Sequence, residues 1–401
     1  MISVNSERAG AAASMPPHLR SLTGLRWVAA LMVFLSHVMI LPAAVPPGEA
    51  GEFVSEFVAL GGYVGVSVFF VLSGFVLTWS ARATDTAPRF WRRRFFKVYP
   101  NHFLAFLVAV AFMVWWGPDI GFESAGDQAP GALPQLLLVH AWVPDLDTAF
   151  SFNLVSWSLS VEAAFYLCFP LLLAGVLRIR PDRLWYWAGG TLLAILTVPQ
   201  IARLLPTGEI SYEGMGTWEY WFVYVLPISR MGEFLIGILM ARILLTGRWV
   251  RVPLWAASLL FLGVYSLALY QLPKEYAIVA ATVAPIALLI PAAAANEARG
   301  RRSLLARSPM VWLGNVSYAF YLVHFFAIQA VFRMVGFDFQ ANELTAVLFV
   351  LGACGLAVAL AAVLYYGVER PMMRRFAVAR RPASADAPPP VRNERTGRAT
   401  G

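Results

Sequence analysis

Residues 22–40 read LTGLRWVAALMVFLSHVMI, an apolar run interrupted by two ionisable side chains, Arg26 near its start and His37 deep inside it. On an α-helix that interval is about three turns, so the two residues share a face and lie roughly 16 Å apart along the axis. A charged side chain at the centre of a bilayer costs about 2.5 to 3.5 kcal/mol on insertion scales, so ionisable residues at such depth are functional suspects. Histidine can be buried neutral, and the local sequence leaves His37 open between a hydrogen-bonded core residue and a reactive group.

Working outward, the composition sets the class. Of 401 residues 59% are hydrophobic and 13% charged, too apolar for an ordinary soluble globule. The apolar stretches are long and not strictly alternating, which predicts helical spans and not barrel strands. Runs of about 20 residues, enough to cross the hydrocarbon core, occur at 22–44, 59–80, 97–116, 153–177, 184–204, 220–245, 252–271, 275–296, 311–334 and 343–367. Another run, 133–143, is too short to span.

Arginine placement decides the count. The net charge of +8 is almost entirely arginine, since Lys97 and Lys274 are the only lysines. Basic clusters fall at Arg82 to Lys97, at Arg178, Arg180 and Arg183, at Arg242, Arg248 and Arg251, and at Arg299, Arg301, Arg302 and Arg307. With ten spans these loops and both termini lie on one side, while Glu52, Glu56, Asp119, Glu123, Asp127, Asp145, Asp147, Glu209 and Glu213 lie on the other. Counting 133–143 as a span would break the pattern. The sequence therefore predicts an all-α, multi-pass protein of the cell (inner or plasma) membrane, with ten transmembrane helices, both termini cytoplasmic, and a re-entrant or interfacial segment near 133–143 on the outer side. The basic surplus reports orientation and anionic headgroups, and no nucleic-acid partner is expected. The domain reading is a disordered tail at 1–20, one transmembrane domain at 21–375 and a disordered Pro/Arg-rich tail at 376–401. Cys168 and Cys354 lie in apolar runs and suggest no disulfide framework, and the histidines show no metal-ligand spacing, so no metal is expected.

Orientation converts spacing into depth. His37 lies near the midplane from the inner side, and Glu162 in WSLSVEAAFYL (157–167) reaches a similar depth from the outer side. A carboxylate and an imidazole at one level can pair, either as a base with its orienter or as a structural tie between helices. Ser158 precedes Glu162 by one turn on the same face. Arg230 and Glu233 fall at mid-depth, where they neutralise each other or line a cavity, and His324 is placed there too, with lining and packing both open. In span two, Gly61, Gly62, Gly65, Ser73 and Gly74 permit close helix packing or a narrow channel. Arg92, Arg93, Arg94 and Lys97, interleaved with Phe95 and Phe96, suit positive-inside topology and equally a phosphate-bearing ligand with a stacked base.

These stretches resemble the membrane-bound acyltransferase type 3 family. The likeness runs from about Ser21 to Arg375 and is carried, in order, by LTGLRWVAALMVFLSH, GVSVFFVLSGFVL, RRFFKVYP, WSLSVEAAFYL, SRMGEFLIGILMA, LGNVSYAFYLVH and VERP. The resemblance implies transfer of an acyl group, usually acetyl from acetyl-CoA, to a hydroxyl of a sugar, glycan or small molecule. It implies a catalytic histidine at His37, a functional arginine at Arg26, a glycine-serine turn at Ser73 and Gly74 near the acyl donor, and a basic donor-binding pair at Arg94 and Lys97. Lys97 departs from the arginine common there, keeping charge but losing the bidentate fork. Thr23 and Trp27 depart from the Asp and Gly common in the opening motif and lean towards members that acylate natural products such as macrolides.

The expectation that follows is acyl-CoA as donor substrate, with no permanently bound cofactor. Its phosphates would sit at the cytoplasmic mouth on Arg93, Arg94 and Lys97, with Arg26 and Ser73 beside the arm. His37 would be the base, or a covalent acyl carrier, and Glu162 its orienter, with Ser158, Arg230 and His324 as cavity-lining candidates. The rival reading is a proton-coupled transporter in which His37, Glu162, Arg230 and Glu233 form a relay. The oligomeric state is not legible.

Overall fold

The computed structural model describes residues 18–41, 44–45, 48–82, 85–116, 129–209, 214–301, 303–336 and 342–377. The tails predicted at 1–20 and 376–401 lie largely outside the described residues, as do Asp119, Glu123, Asp127, Glu213 and Arg302 of the loop charges. The described chain is helical throughout and contains no β-strand. Its long helices are α1 (Arg20–Val38), α2 (Glu49–Ser80), α3 (Ala87–Trp116), α4 (Trp157–Arg178), α5 (Leu184–Ala202), α6 (Pro227–Leu245), α7 (Leu254–Tyr270), α8 (Ala281–Ala298), α9 (Ser308–Val335) and α10 (Glu343–Leu364). Nine stretches among the described residues are long and apolar enough to cross a membrane; α7, apolar but 17 residues long, is the tenth. At 1.5 Å per residue α7 covers about 26 Å, close to a hydrocarbon core of about 30 Å.

Backbone proximity, made possible by small residues, sets the centre of the bundle. A Cβ on Gly74 of α2 would lie 2.1 Å from the carbonyl oxygen of Phe234 in α6, and one on Gly237 of α6 would lie 2.0 Å from that of Val71. These two helices therefore touch backbone to backbone, the close packing that small residues permit in a membrane. Ser73 and Gly74 are thus mid-helix and form no turn, a correction to the expectation above.

Helix α9 runs alongside α1 in the same direction. A Cβ on Gly314 would meet the Thr23 carbonyl oxygen at 1.9 Å, and further along Trp27 packs edge-on against Phe320 with centroids 4.9 Å apart. Glu297, at the end of α8, accepts from the backbone amides of Arg20 and Ser21 at 2.8 Å each, so a carboxylate from another helix satisfies the exposed donors at the start of α1.

The segment predicted at 133–143 does not cross. It forms a short helix, Ala129–Leu136, and a single turn, His140–Trp142, separated by Leu138 in the left-handed region at φ 56°. Side chains from neighbouring helices satisfy its irregular backbone: His102 binds the Gln135 carbonyl at 2.9 Å, Ser160 Oγ donates to that of Leu138 at 2.7 Å and the half-buried Trp221 Nε1 to that of Ala141 at 3.1 Å. Non-helical backbone at depth is tolerated where protein covers it in this way.

Beyond Leu364 the last helix continues through wider turns to Ala377, so the helical chain outruns the predicted boundary at 375. This extension folds back against α3 and closes one side of the site described next.

Candidate active site

A cavity of about 320 Å³ opens among α1, α2, α3, α4, α9 and the extension of α10. Five cations line it, Arg26, Arg94, Lys97, Arg370 and Arg374, against two carboxylates, Glu162 and Glu369. Arg93 with Asp85, Arg180 with Asp182, Arg203 with Glu275, and Arg230 with Glu233 form ion pairs elsewhere in the described residues, and none of them involves a cavity cation. The cavity cations are therefore not neutralised by direct contact. The Arg94 guanidinium lies 5.6 Å from the centroid of Phe90 and 5.7 Å from that of Tyr166, and its Nε is buried without a hydrogen-bond partner. Planar guanidinium groups held on aromatic faces with donors free are suited to phosphate oxygens.

The sequence placed the start of α3 ten residues too late. The helix begins at Ala87, so Arg92 to Lys97 are helical and not in a loop. Residues 94 and 97, three apart, share the cavity-facing side. Arg93 faces away and forms a two-pronged pair with Asp85 at 2.9 and 2.7 Å. It does not line the cavity that Arg94 and Lys97 face.

Glu162 lines the cavity, where it accepts from Ser73 Oγ at 3.2 Å and from the Tyr166 hydroxyl one turn on. It is not the partner of His37. The His37 Nδ1 lies 2.8 Å from Nε2 of His324, and His324 Nδ1 lies 2.7 Å from the Tyr321 carbonyl oxygen. The polar neighbour of His37 comes from α9 and not from α4, because α9 lies against that part of α1. His324 is fully buried and lies one turn beyond Tyr321, which lines the deep end of the cavity. Ser158 lines the same end, with its hydroxyl 2.8 Å from that of Tyr321.

Arg230 is also corrected. It and Glu233 are fully buried and pair with each other, and the guanidinium donates to the Tyr224 carbonyl at 2.9 Å and to Ser67 Oγ at 3.2 Å. Phe70, whose centroid is 5.0 Å from the guanidinium, lines the cavity and screens Arg230 from it.

Glu369, Arg370 and Arg374 escaped the sequence reading as site residues. Glu369 is 5% exposed and accepts from the buried Asn101 amide at 3.1 Å. The available signal is the VERP motif itself, an acid beside a base just after an apolar run.

Comparison with known proteins bears on the family of the chain. A family model described as an acyltransferase domain, of the type 3 class, matches residues 19–366. The chain is 40% identical over 388 residues to acyltransferase MdmB of Streptomyces mycarofaciens, covering 95% of this chain and 98% of that protein. It is 25% identical over 290 residues to peptidoglycan O-acetyltransferase OatA of Listeria monocytogenes, covering 67% of this chain and 45% of that longer protein. It is 29% identical over 325 residues to the exopolysaccharide production protein ExoZ of Rhizobium meliloti, covering 78% and 90% respectively. No solved structure matches significantly.

Proposed function

This chain belongs to the acyltransferase type 3 family, and from that premise we propose that it moves an acetyl or other short acyl group from acyl-CoA, bound from the cytoplasmic face, to a hydroxyl of a natural product. The observation that carries the donor assignment is the cavity with five cations and no ion-paired partner, set one helical turn from a pair of histidines. Arg26, Arg94, Lys97, Arg370 and Arg374 hold the donor's phosphates, and the pantetheine arm runs past Ser73 and Ser158 towards His37. The concentration of arginine on this face supports a cytoplasmic donor side, where acyl-CoA is available.

His37 Nε2 takes the hydroxyl proton as the acceptor oxygen attacks the thioester carbonyl carbon. The C–O bond forms, the C–S bond breaks, and the departing thiolate takes the proton back from the imidazolium. The products are an ester, free CoA thiol and neutral His37. A positioned general base contributes about 10²- to 10⁴-fold in rate. The choice of a macrolide-like acceptor over a glycan is supported by the departures at Thr23 and Trp27.

The test is acetyl-CoA consumption by the purified protein in lipid nanodiscs, read as release of free CoA thiol with and without a hydroxylated macrolide. His37→Ala is expected to abolish release without lowering the yield of folded protein; full activity in that variant would sink the role of His37. Orientation is tested by cysteine labelling in whole cells, with the native cysteines replaced. Thr207→Cys should react with an impermeant maleimide and Thr86→Cys should not, and the reverse pattern would overturn cytoplasmic donor entry.

A further inference from the structure

We infer that His324 is a positioning residue that keeps the proton of His37 on Nδ1 and so leaves Nε2 bare to act as the base. This deepens the acyl-transfer reading and rests on it. The assignment follows from the hydrogen-bond network, atom by atom. The Tyr321 carbonyl oxygen, 2.7 Å from His324 Nδ1, can only accept, so that nitrogen carries a hydrogen. A second proton on His324 would place a charge on a side chain with 0% exposure, where its polar contacts are a carbonyl and another imidazole, a costly arrangement. Neutral His324 then has its lone pair on Nε2. The nitrogen 2.8 Å away, His37 Nδ1, must supply the hydrogen between them. A neutral imidazole with its hydrogen on Nδ1 is an acceptor at Nε2, on the opposite edge of the ring.

The two rings are also held in place. Phe320 stacks on His324 at 5.8 Å and 13°, and Phe34 meets it edge-on at 6.2 Å. Phe325 meets His37 edge-on at 6.0 Å. His37 itself is only half-buried, in contrast to the fully buried His324. When Nε2 takes the acceptor's proton, the existing Nδ1–H···N bond becomes charge-assisted and strengthens. His324 therefore favours the charged state over the ground state, the kind of interaction that raises kcat and not only affinity.

The experiment uses the full chain in nanodiscs with acetyl-CoA as probe and compares His324→Ala with His324→Gln. The glutamine amide oxygen can accept in place of Nε2. His324→Ala should lower kcat about 10²-fold, the lower end of a general base's contribution, with KM for acetyl-CoA within about twofold because donor contacts lie elsewhere. His324→Gln should recover at least tenfold of that loss, a rescue that a packing role would not produce. Near-parental kcat in His324→Ala would overturn the inference, as would His324→Gln no faster than His324→Ala with fold and donor binding intact. If His324→Ala fails to fold, the glutamine variant is decisive against the parent. Absence of any His37-dependent CoA release from the parent would instead sink the acyl-transfer reading itself.

Discussion

Two clusters of charge are buried in this bundle, and they are built on opposite plans. Around Arg230 the protein supplies a partner for each arm of the guanidinium: Glu233 for Nε, the Tyr224 carbonyl and Ser67 for the terminal nitrogens, and the rings of Phe70 and Tyr224 above and below at 5.0 and 4.9 Å. Around Arg26, Arg94 and Lys97 it supplies a cavity, two carboxylates outside ion-pair contact, and a buried Arg94 Nε with no acceptor. A charge whose guanidinium nitrogens each find a partner in its own chain is a structural tie between helices. A charge left unsaturated beside an open cavity is poised for a ligand. The contrast separates cations that residue type alone could not tell apart.

Breaking the saturated cluster should have the largest effect. Arg230→Leu strands Glu233 in the core and is expected to destabilise the protein by about 3 to 5 kcal/mol, seen as loss of folded yield and a lower midpoint in thermal unfolding in detergent. The double replacement Arg230→Met with Glu233→Leu should recover most of that loss, because the cost lies in the orphaned charge; no recovery would mean that Arg230 does more than tie helices. Next comes the contact that holds the two regions in register. Gly74→Val places methyl groups where a Cβ alone is already 2.1 Å from the Phe234 oxygen, so a cost of about 1 to 3 kcal/mol from overpacking is expected by the same measurement.

The unsaturated cluster should respond in affinity and not in stability. Arg94→Gln is expected to raise KM for acetyl-CoA about tenfold, equivalent to about 1.4 kcal/mol, with little change in unfolding midpoint; a large stability loss with unchanged KM would reverse the comparison. The smallest effect is reserved for its neighbour. Arg93→Ala removes a partly exposed pair with Asp85 and should change both KM and stability by no more than about 1 kcal/mol, since such pairs contribute about 0 to 1. A tenfold rise in KM there would return Arg93 to the donor site.

Much of the architecture was legible because hydropathy, length and arginine placement act locally along the chain. The ten spans and the short non-crossing segment at 133–143 follow from the bilayer's thickness and from the cost of exposed backbone within it. The boundary of α3 was missed because arginines read as loop residues, yet near a membrane surface a helix carries them on its first turns. Residue type alone singled out His37, Glu162, Arg94, Lys97 and Ser158, of which the last four line the cavity. The site was not legible by pairing. His37 and His324 are 287 residues apart, and nothing in their spacing says that α9 and not α4 packs along α1.

By itself, then, the sequence determined that this is a multi-span helical membrane protein of an acyltransferase family, with ionisable groups at chosen depths. Periodicity, hydropathy and charge are properties of the chain and survive without a partner helix. Only the tertiary structure decided which of those groups meet. Glu162 turns to Ser73 and Tyr166, His37 to His324, and Arg230 away from the cavity behind Phe70. Lateral helix packing is set by small residues such as Gly74 and Gly314 allowing backbones to touch, and a hydrogen bond requires contact within about 3 Å, a resolution that depth alone cannot provide.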